Sequence, residues 1–449
     1  MISTSKMIAI AVVAVVVVAG AGVALFALGG GKEKIIIDAE LEVYGNANGD
    51  GRIDQADIDL VREIIAGARS FEDHPLADAN YDGVVDEKDV QQIERIINAT
   101  STNKVRIYHI NHYGDEVSVV DTLYPITSAA ATSDLVGLLI FKYLGIVDEL
   151  KGFAFSATVD DVLFSEFMPN MTEDRRIGLN VYTVDVDMAS NLVDRYGITA
   201  IVTQSHTSYL SSEVGLLEGA GIDVVRIQSG AVDSKEYMST ILFTAFMFDT
   251  DGKGYMDKCE GLINWYEDFL TDLDGRLGGV PKRVTAVASS MTTYVSTGRS
   301  EYAYVLQAAG ADYVLSDLGI PGTSVSYVGA SDTWLNAYDF DYLVCMRGSS
   351  AAIGSWYGDT VSTAVLASQL DNFSTLECYE KNNVYVICGE LPVMLRIAYT
   401  AQALYGDVFG PDYAYNLHVD FVKRFFGWDE SMIKDKPFLF SMEDLGLTG

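Results

Sequence analysis

The sequence predicts an α/β protein of two lobes joined by one long helix, preceded by a small all-α domain and an N-terminal transmembrane helix. Three observations carry this. An acidic loop followed by a short amphipathic helix is written twice between Asn46 and Ala99. From Lys104 onward, short β-branched runs alternate with amphipathic helices, the pattern of open α/β sheets. A single helix, Tyr255 to Leu273, divides that region into halves of similar size, roughly 104–250 and 281–430.

At the N-terminus, Met7 to Leu28 holds no charge and lies between Lys6 and Lys32. About 22 apolar residues suffice to cross a bilayer as a helix. Residues 1–31 therefore read as an uncleaved signal anchor, with cleavage near 27–31 as the alternative. Either way the remainder is exported, and the anchored form sits on the extracytoplasmic face of the cell membrane.

Residues 43–99 form the second segment. Asn46, Asn48, Asp50, Gly51, Asp54 and Asp57 fill positions 1, 3, 5, 6, 9 and 12 of a calcium loop. Asp78, Asn80, Asp82, Gly83, Asp86 and Asp89 fill the same positions 32 residues later. Calcium takes six to eight oxygen ligands; alternate side chains supply them, the glycine permits the bend, and the main-chain carbonyls of Arg52 and Val84 serve at position 7. Two bound Ca2+ are expected. Ile58, Val61, Ile64 and Ile65 recur as Val90, Ile93, Ile96 and Ile97 at helical spacing. An EF-hand has Glu at position 12 and an incoming helix; here position 12 is Asp, and Val43-Tyr44-Gly45 is too short for a helix. Loop then helix, duplicated, with Asp at position 12, resembles a type I-like dockerin domain. The resemblance implies a cohesin domain as partner, chosen in part by positions 10 and 11. Those are Gln55-Ala56 and Glu87-Lys88, unlike each other and unlike the Ser-Thr pair common in cellulosomal dockerins.

Thr100 to Asn103 is a polar joint, followed by the two lobes and a C-terminal tail at 431–449. Strands are expected at Val117–Val120, Thr199–Val202, Asp223–Ile227, Arg283–Ala288, Tyr313–Leu315, Tyr342–Met346 and Val384–Ile387. Helices are expected at Ser133–Leu144, Met188–Tyr196, Tyr302–Ala309 and Pro392–Leu404, with Gly145, Gly197, Gly221 and Gly310 as stops. Leu262, Trp265, Tyr266, Phe269 and Leu270 give the long helix its apolar stripe. Asp249 to Glu260 mimics a third calcium loop, but Lys253 stands where an oxygen ligand is needed, so it reads as the turn before that helix.

Several stretches in order resemble the class III periplasmic binding proteins of ABC importers for ferric siderophores, haem and cobalamin. They are Val119 to Ser128 (first strand and pocket loop), Leu144 to Gly152, Asp185 to Val202, Arg283-Val284, Tyr294 to Gly298, Val305 to Ala311 and Asn383 to Gly389. The resemblance implies a metal-chelate ligand between the lobes and an ABC permease as partner. Four loops then qualify for the cleft: 124–128, 204–209, 289–298 and 347–358. Their candidate ligand-binding residues are Tyr124, Gln204, His206, Tyr209, Tyr294, Arg347, Trp356 and Tyr357. For each aromatic the competing account is a ring that caps the core. His206 is a candidate ligand of a metal centre or a buried, hydrogen-bonded histidine; Arg347 pairs with a ligand anion or with a structural carboxylate. Asp148 or Glu149, and Glu301, are candidates for permease docking.

Net charge is −33, from 63 acids and 30 Lys and Arg, which excludes nucleic acid as a partner class. Cys259, Cys345, Cys378 and Cys388 form no CxxC pair, and their disulfide state is open. Asn98, Asn170 and Asn372 head N-x-S/T sites that permit glycosylation. There is no G-x-S-x-G, H-E-x-x-H or P-loop, so the reading is a binding protein and not an enzyme. A dockerin-bearing polysaccharide-active enzyme and a cell-surface scaffold that binds no small molecule are the alternatives.

Overall fold

A computed structural model describes residues 34–133, 135–155, 161–228, 230, 232–290, 294–296, 300–316, 327–329, 335–358 and 360–447. The expected anchor at 1–31 lies outside the described residues. Among the described residues no helix is long and apolar enough to cross a membrane.

The two calcium-loop repeats end in α1 (Gln55–Ile65) and α2 (Glu87–Ile97). Asp54 and Asp86 cap them, and each cap is reciprocated by the Asp three residues on, Asp57 or Asp89. Ile58, Val61 and Ile64 pack against Val90 and Ile93 with Ala47, Ala77 and Ala79 between them. A strap, Lys34 to Val43, ties this domain to the body. Ile35 and Ile37 donate main-chain N–H groups to Thr271 Oγ1 and Glu267 Oε1, both at 2.9 Å, and Val43 bridges to His109.

A hairpin follows, β1 (Val105–Tyr113) and β2 (Glu116–Tyr124), paired with each other and with no other strand. The N-terminal lobe is a four-stranded parallel sheet: β3 (Ala129–Ser133), β4 (Leu150–Phe155), β5 (Ala200–Gln204) and β6 (Asp223–Ile227), in the order β4-β3-β5-β6. The helices α3 (Leu135–Leu144), α4 (Asp161–Phe167), α5 (Val186–Tyr196) and α6 (Val214–Gly219) connect them. Parallel strands need such crossovers. Then α7 (Ser234–Phe248) packs along α8 (Tyr255–Leu277), the interlobe helix, four residues longer at its C-terminus than the apolar stripe indicates. Its five stripe residues are all buried.

The C-terminal lobe is one mixed sheet of β7 (Val284–Ser290), β8 (Tyr294–Ser296), β9 (Asp312–Tyr313), β10 (Tyr327–Gly329), β11 (Tyr342–Arg347), β12 (Val384–Cys388) and β13 (Leu439–Ser441). α9 (Glu301–Ala308) and the helix Val393–Leu404 pack together beside it. β7, β11 and β12 run parallel at its centre. β13 lies in the stretch expected to be a tail and pairs antiparallel with β12, Val386 opposite Phe440.

Two expectations are corrected. Val119 to Ser128 does not open the lobe's sheet: residues 119–124 belong to the hairpin, and the first sheet strand is β3. That strand is Ala-Ala-Ala-Thr-Ser, buried throughout, and it shows neither the alternation nor the β-branched content by which strands are read. The helix expected from Ser133 begins after it, at Leu135. The turn at Asp249 to Gly254 precedes α8 as expected, and Lys253 pairs with Glu149 at 2.8 Å. All four cysteines are buried free thiols.

Candidate functional site: an interlobe cleft and two calcium loops

In an open sheet of parallel strands, ligands are met outside the carboxyl ends. β3, β5 and β11 end in Ser133, Gln204 and Arg347. Each of the three holds a buried polar atom without a hydrogen-bond partner: Ser133 Oγ, Gln204 Nε2 and Arg347 Nε. The β3–β5 register runs to Ala131 opposite Val202, and one residue on Thr132 Oγ1 bonds Thr203 Oγ1 at 2.6 Å, just before Ser133 and Gln204. Arg347 forms no ion pair among the described residues, and burial draws its pKa below the usual arginine range. An orphaned buried donor costs about 1–3 kcal/mol, more for a charged group. Two of the three residues end neighbouring strands of the N-terminal sheet and the third ends a central strand of the C-terminal sheet.

The backbone around them is fixed. Arg226 spans the β5 loop, donating from Nη1 to the carbonyls of Gln204 and Tyr209, both at 3.0 Å, with its guanidinium 4.1 Å over the Tyr113 ring. The hairpin tip braces the same loop: Gly114 N–H donates to Ser205 O at 2.7 Å, and the Tyr113 hydroxyl to Thr207 O at 2.6 Å. In the other lobe, Ser349 donates its N–H and hydroxyl to the two oxygens of Glu390, at 2.8 and 2.7 Å. This hooks the end of β11 to the end of β12. Gly389 lies so close to Arg347 that a Cβ would stand 3.2 Å from its carbonyl carbon, a tight contact that glycine avoids.

The residues singled out in the sequence divide three ways. Gln204 and Arg347 stand at strand carboxyl ends and His206 two residues beyond β5, its Nδ1 accepting the Ser208 N–H at 3.1 Å, while Tyr209, further along that loop, is 6% exposed and edge-on to Tyr182. Tyr124, Trp356 and Tyr357 are core. Tyr124 stacks on Phe246 of α7 at 4.7 Å; Trp356 is 0% exposed against Phe440; Tyr357 is 1% exposed among Phe438, Trp428 and His418. Of the three, Trp356 also holds a buried donor, Nε1, without a hydrogen-bond partner among the described residues. Tyr294 lies on β8, and its side chain falls outside what is described, as do most of 289–298. Ser133 was missed because its strand was missed. The permease candidates are also placed: Glu149 is buried and bonded to Lys253 and Tyr255, Glu301 is partly buried and bonded to Arg396, and Asp148 is exposed. His109 and His112 do not converge: His109 bonds Thr122 at 2.9 Å and His112 bonds Glu42 at 2.8 Å.

The calcium loops are the second candidate site. Asp57 and Asp89 are fully buried and make matching pairs of bonds. Their Oδ1 atoms accept from Asn48 and Asn80, each at 3.1 Å; their Oδ2 atoms accept from Asp54 at 2.8 Å and Asp86 at 2.7 Å. Asn46 Oδ1 and Asn80 Oδ1 are buried acceptors with no donor. Burial pushes the Asp57 carboxyl up to about 6 and raises Asp78 and Asp89 as well. Orphaned oxygens beside carboxylates that resist ionising alone fit a hard cation. Among the described residues no three His, Cys, Asp or Glu side chains form a metal cluster by themselves. The same loops also carry the amide side chains of Asn46, Asn48 and Asn80. Position 4 is left-handed in both loops, Gly49 at φ +74° and Tyr81 at φ +58°, and at position 6 only Gly83 is, at φ +88°.

Residues 44–98 match the model of the dockerin type I domain. The chain is similar in fold to the TroA-like periplasmic binding protein FepB from Veillonella parvula, at a TM-score of 0.53 and 14% identity, covering 71% of this chain and 95% of that one. It is similar also to CeuE of Helicobacter pylori, solved as a Ni-His complex (0.51, 14%, 75% and 99%). A third similar structure is the molybdate-bound periplasmic binding protein MolA of Haemophilus influenzae (0.51, 13%, 72% and 96%). At these identities the likeness is one of fold. A search of curated proteins finds no match.

Proposed function

We propose that the chain is the extracytoplasmic substrate-binding protein of an ABC importer, and that its cleft takes an anionic metal chelate. The observation that carries this reading is the set of orphaned polar atoms at the ends of β3, β5 and β11, with a desolvated arginine among them. Arg347 is suited to a carboxylate or other oxyanion on the ligand, Gln204 and Ser133 to its neutral oxygens. Similar folds solved with a nickel–histidine complex and with molybdate support a small metal-bearing ligand. Ferric siderophores, corrinoids and haem are the classes to try first. The protein binds and releases; it performs no chemistry on its ligand.

The dockerin would hold two calcium ions, through Asn46, Asn48, Asp50, Arg52 O, Asp54 and Asp57 and through Asp78, Asn80, Asp82, Val84 O, Asp86 and Asp89. It would attach the receptor to a cohesin domain. An N-terminal anchor would keep it at the membrane beside its permease. Titrating the full chain, calcium present, with ferric siderophores, cobalamin, haem and molybdate tests the receptor reading. Saturable binding of one class at micromolar concentration or below is expected. Silence toward all of them, with binding or cleavage of a cellulose or chitin oligosaccharide, would replace it with a polysaccharide-active protein.

A further inference from the structure

A groove of about 910 Å³ lies away from the cleft. It opens where β4 begins and α3 ends, the edge of the parallel sheet opposite the carboxyl ends, and α8 and the turn at 424–427 wall it. Lys142, Lys151, Arg175, Lys258 and Arg424 line it, against Asp148 and Glu166. The chain has 63 acids to 30 bases, so this groove inverts the balance of the whole molecule. Three of the cations have bonds: Arg424 with Asp420 at 2.8 Å, Lys258 with the Leu144 carbonyl at 3.0 Å, and Lys151 with the Asp148 carbonyl. Lys142 and Arg175 form neither a side-chain hydrogen bond nor an ion pair among the described residues. The Lys142 ammonium sits 5.6 Å from the Phe167 ring centre and 5.9 Å from that of Trp428. Burial holds its pKa below the usual lysine range. On so acidic a chain, neutralising a half-buried ammonium with a carboxylate would be the ordinary solution. Here the ammonium faces two rings, and Glu166, the carboxylate that bears on it, forms no ion pair with it among the described residues.

We propose that this groove binds a multivalent phosphate-type oxyanion, seated on Lys142 and Arg175 with Lys258 and Arg424 at its mouth. The cations would supply charge-assisted hydrogen bonds, and the rings would exclude water around them. The phosphate belongs either to a free small molecule or to a lipid headgroup. The site is separate from the cleft and does not depend on what the cleft binds.

Calorimetric titration of the full chain with fructose 1,6-bisphosphate, a weak calcium binder, and co-sedimentation with phosphatidylglycerol vesicles test it. Saturable binding of the bisphosphate is expected, weakened at least tenfold in Lys142→Met, which keeps the aliphatic packing between the rings. Vesicle binding with the same sensitivity would identify a headgroup; bisphosphate binding without it, a free anion. If Lys142→Met fails to fold, Arg175→Met carries the same test. No saturable binding to either probe would overturn the proposal. So would binding that survives Lys142→Met and is lost in Arg347→Met, which would place the anion in the cleft.

Discussion

The calcium loops and the cleft are both places where buried polar atoms lack partners, but they are assembled differently. In each loop the donors come from twelve consecutive residues, and the loop's own N–H groups hold them: Asp57 and Asp89 each bind position 3 and position 9. In the cleft, Ser133, Gln204 and Arg347 come from strands far apart in sequence, and supports from a third place hold them. Arg226, the hairpin tip and the Ser349–Glu390 hook do that work. A contiguous site that crowds carboxylates would depend on its ion for charge balance. An assembled site is shaped by the fold and persists when empty.

Chelation gives the largest contrast. With calcium a thousandfold above Kd, an ion held in each loop would add about 4 kcal/mol of stability. EGTA should therefore lower the melting temperature and the helical circular-dichroism signal of the dockerin, while ligand affinity in the cleft changes little. Loss of cleft binding on chelation would break the distinction. Calorimetry should count two calcium ions, and one in Asp89→Ala.

Arg347→Met should show the reverse pattern. A charged hydrogen bond to the ligand contributes about 1.5–3 kcal/mol, so affinity should fall roughly ten- to a hundredfold. Stability should hold or rise, because among the described residues the arginine side chain has no ion pair to lose. A destabilised variant with normal affinity would make Arg347 a structural residue. Gln204→Leu is a smaller change of the same kind, about 1 kcal/mol or fivefold in affinity. Melting curves and titrations on one preparation decide both.

The smallest effect concerns the strap between the two regions. Glu42 accepts from His112 at 2.8 Å and raises its pKa above the ordinary 6.5. That contribution is fully present below the unfolded value and is lost as pH rises through the higher folded value. Both side chains are 40% or more exposed, so it should be a few tenths of a kcal/mol and weaker in salt. His112→Ala should flatten the stability profile across this window; an unchanged slope would dismiss the pair.

The same difference governs what the sequence reveals. The calcium ligands are legible because spacing within one loop is spacing in space. The interlobe helix is legible because its stripe faces one way. The cleft is harder: β3 is a run of alanines that looks like no strand, so its last residue, Ser133, went unseen. Tyr124, Trp356 and Tyr357 looked like pocket aromatics, yet Phe246, Phe440 and Phe438 cover them. An aromatic at a strand end reads the same whether it faces a ligand or the core; only the packing of distant segments tells the two apart. The hairpin's support of the β5 loop joins residues about 90 positions apart, and no local pattern records it.

The most direct measurement is a crystal structure of the full chain grown with whichever chelate binds best, the metal located by its anomalous signal. The account predicts a single chelate metal between the carboxyl ends of β5 and β11, with the ligand's anionic group on Arg347 and its neutral oxygens on Gln204 and Ser133. A metal found in the calcium loops or the basic groove, with the cleft empty, would contradict it.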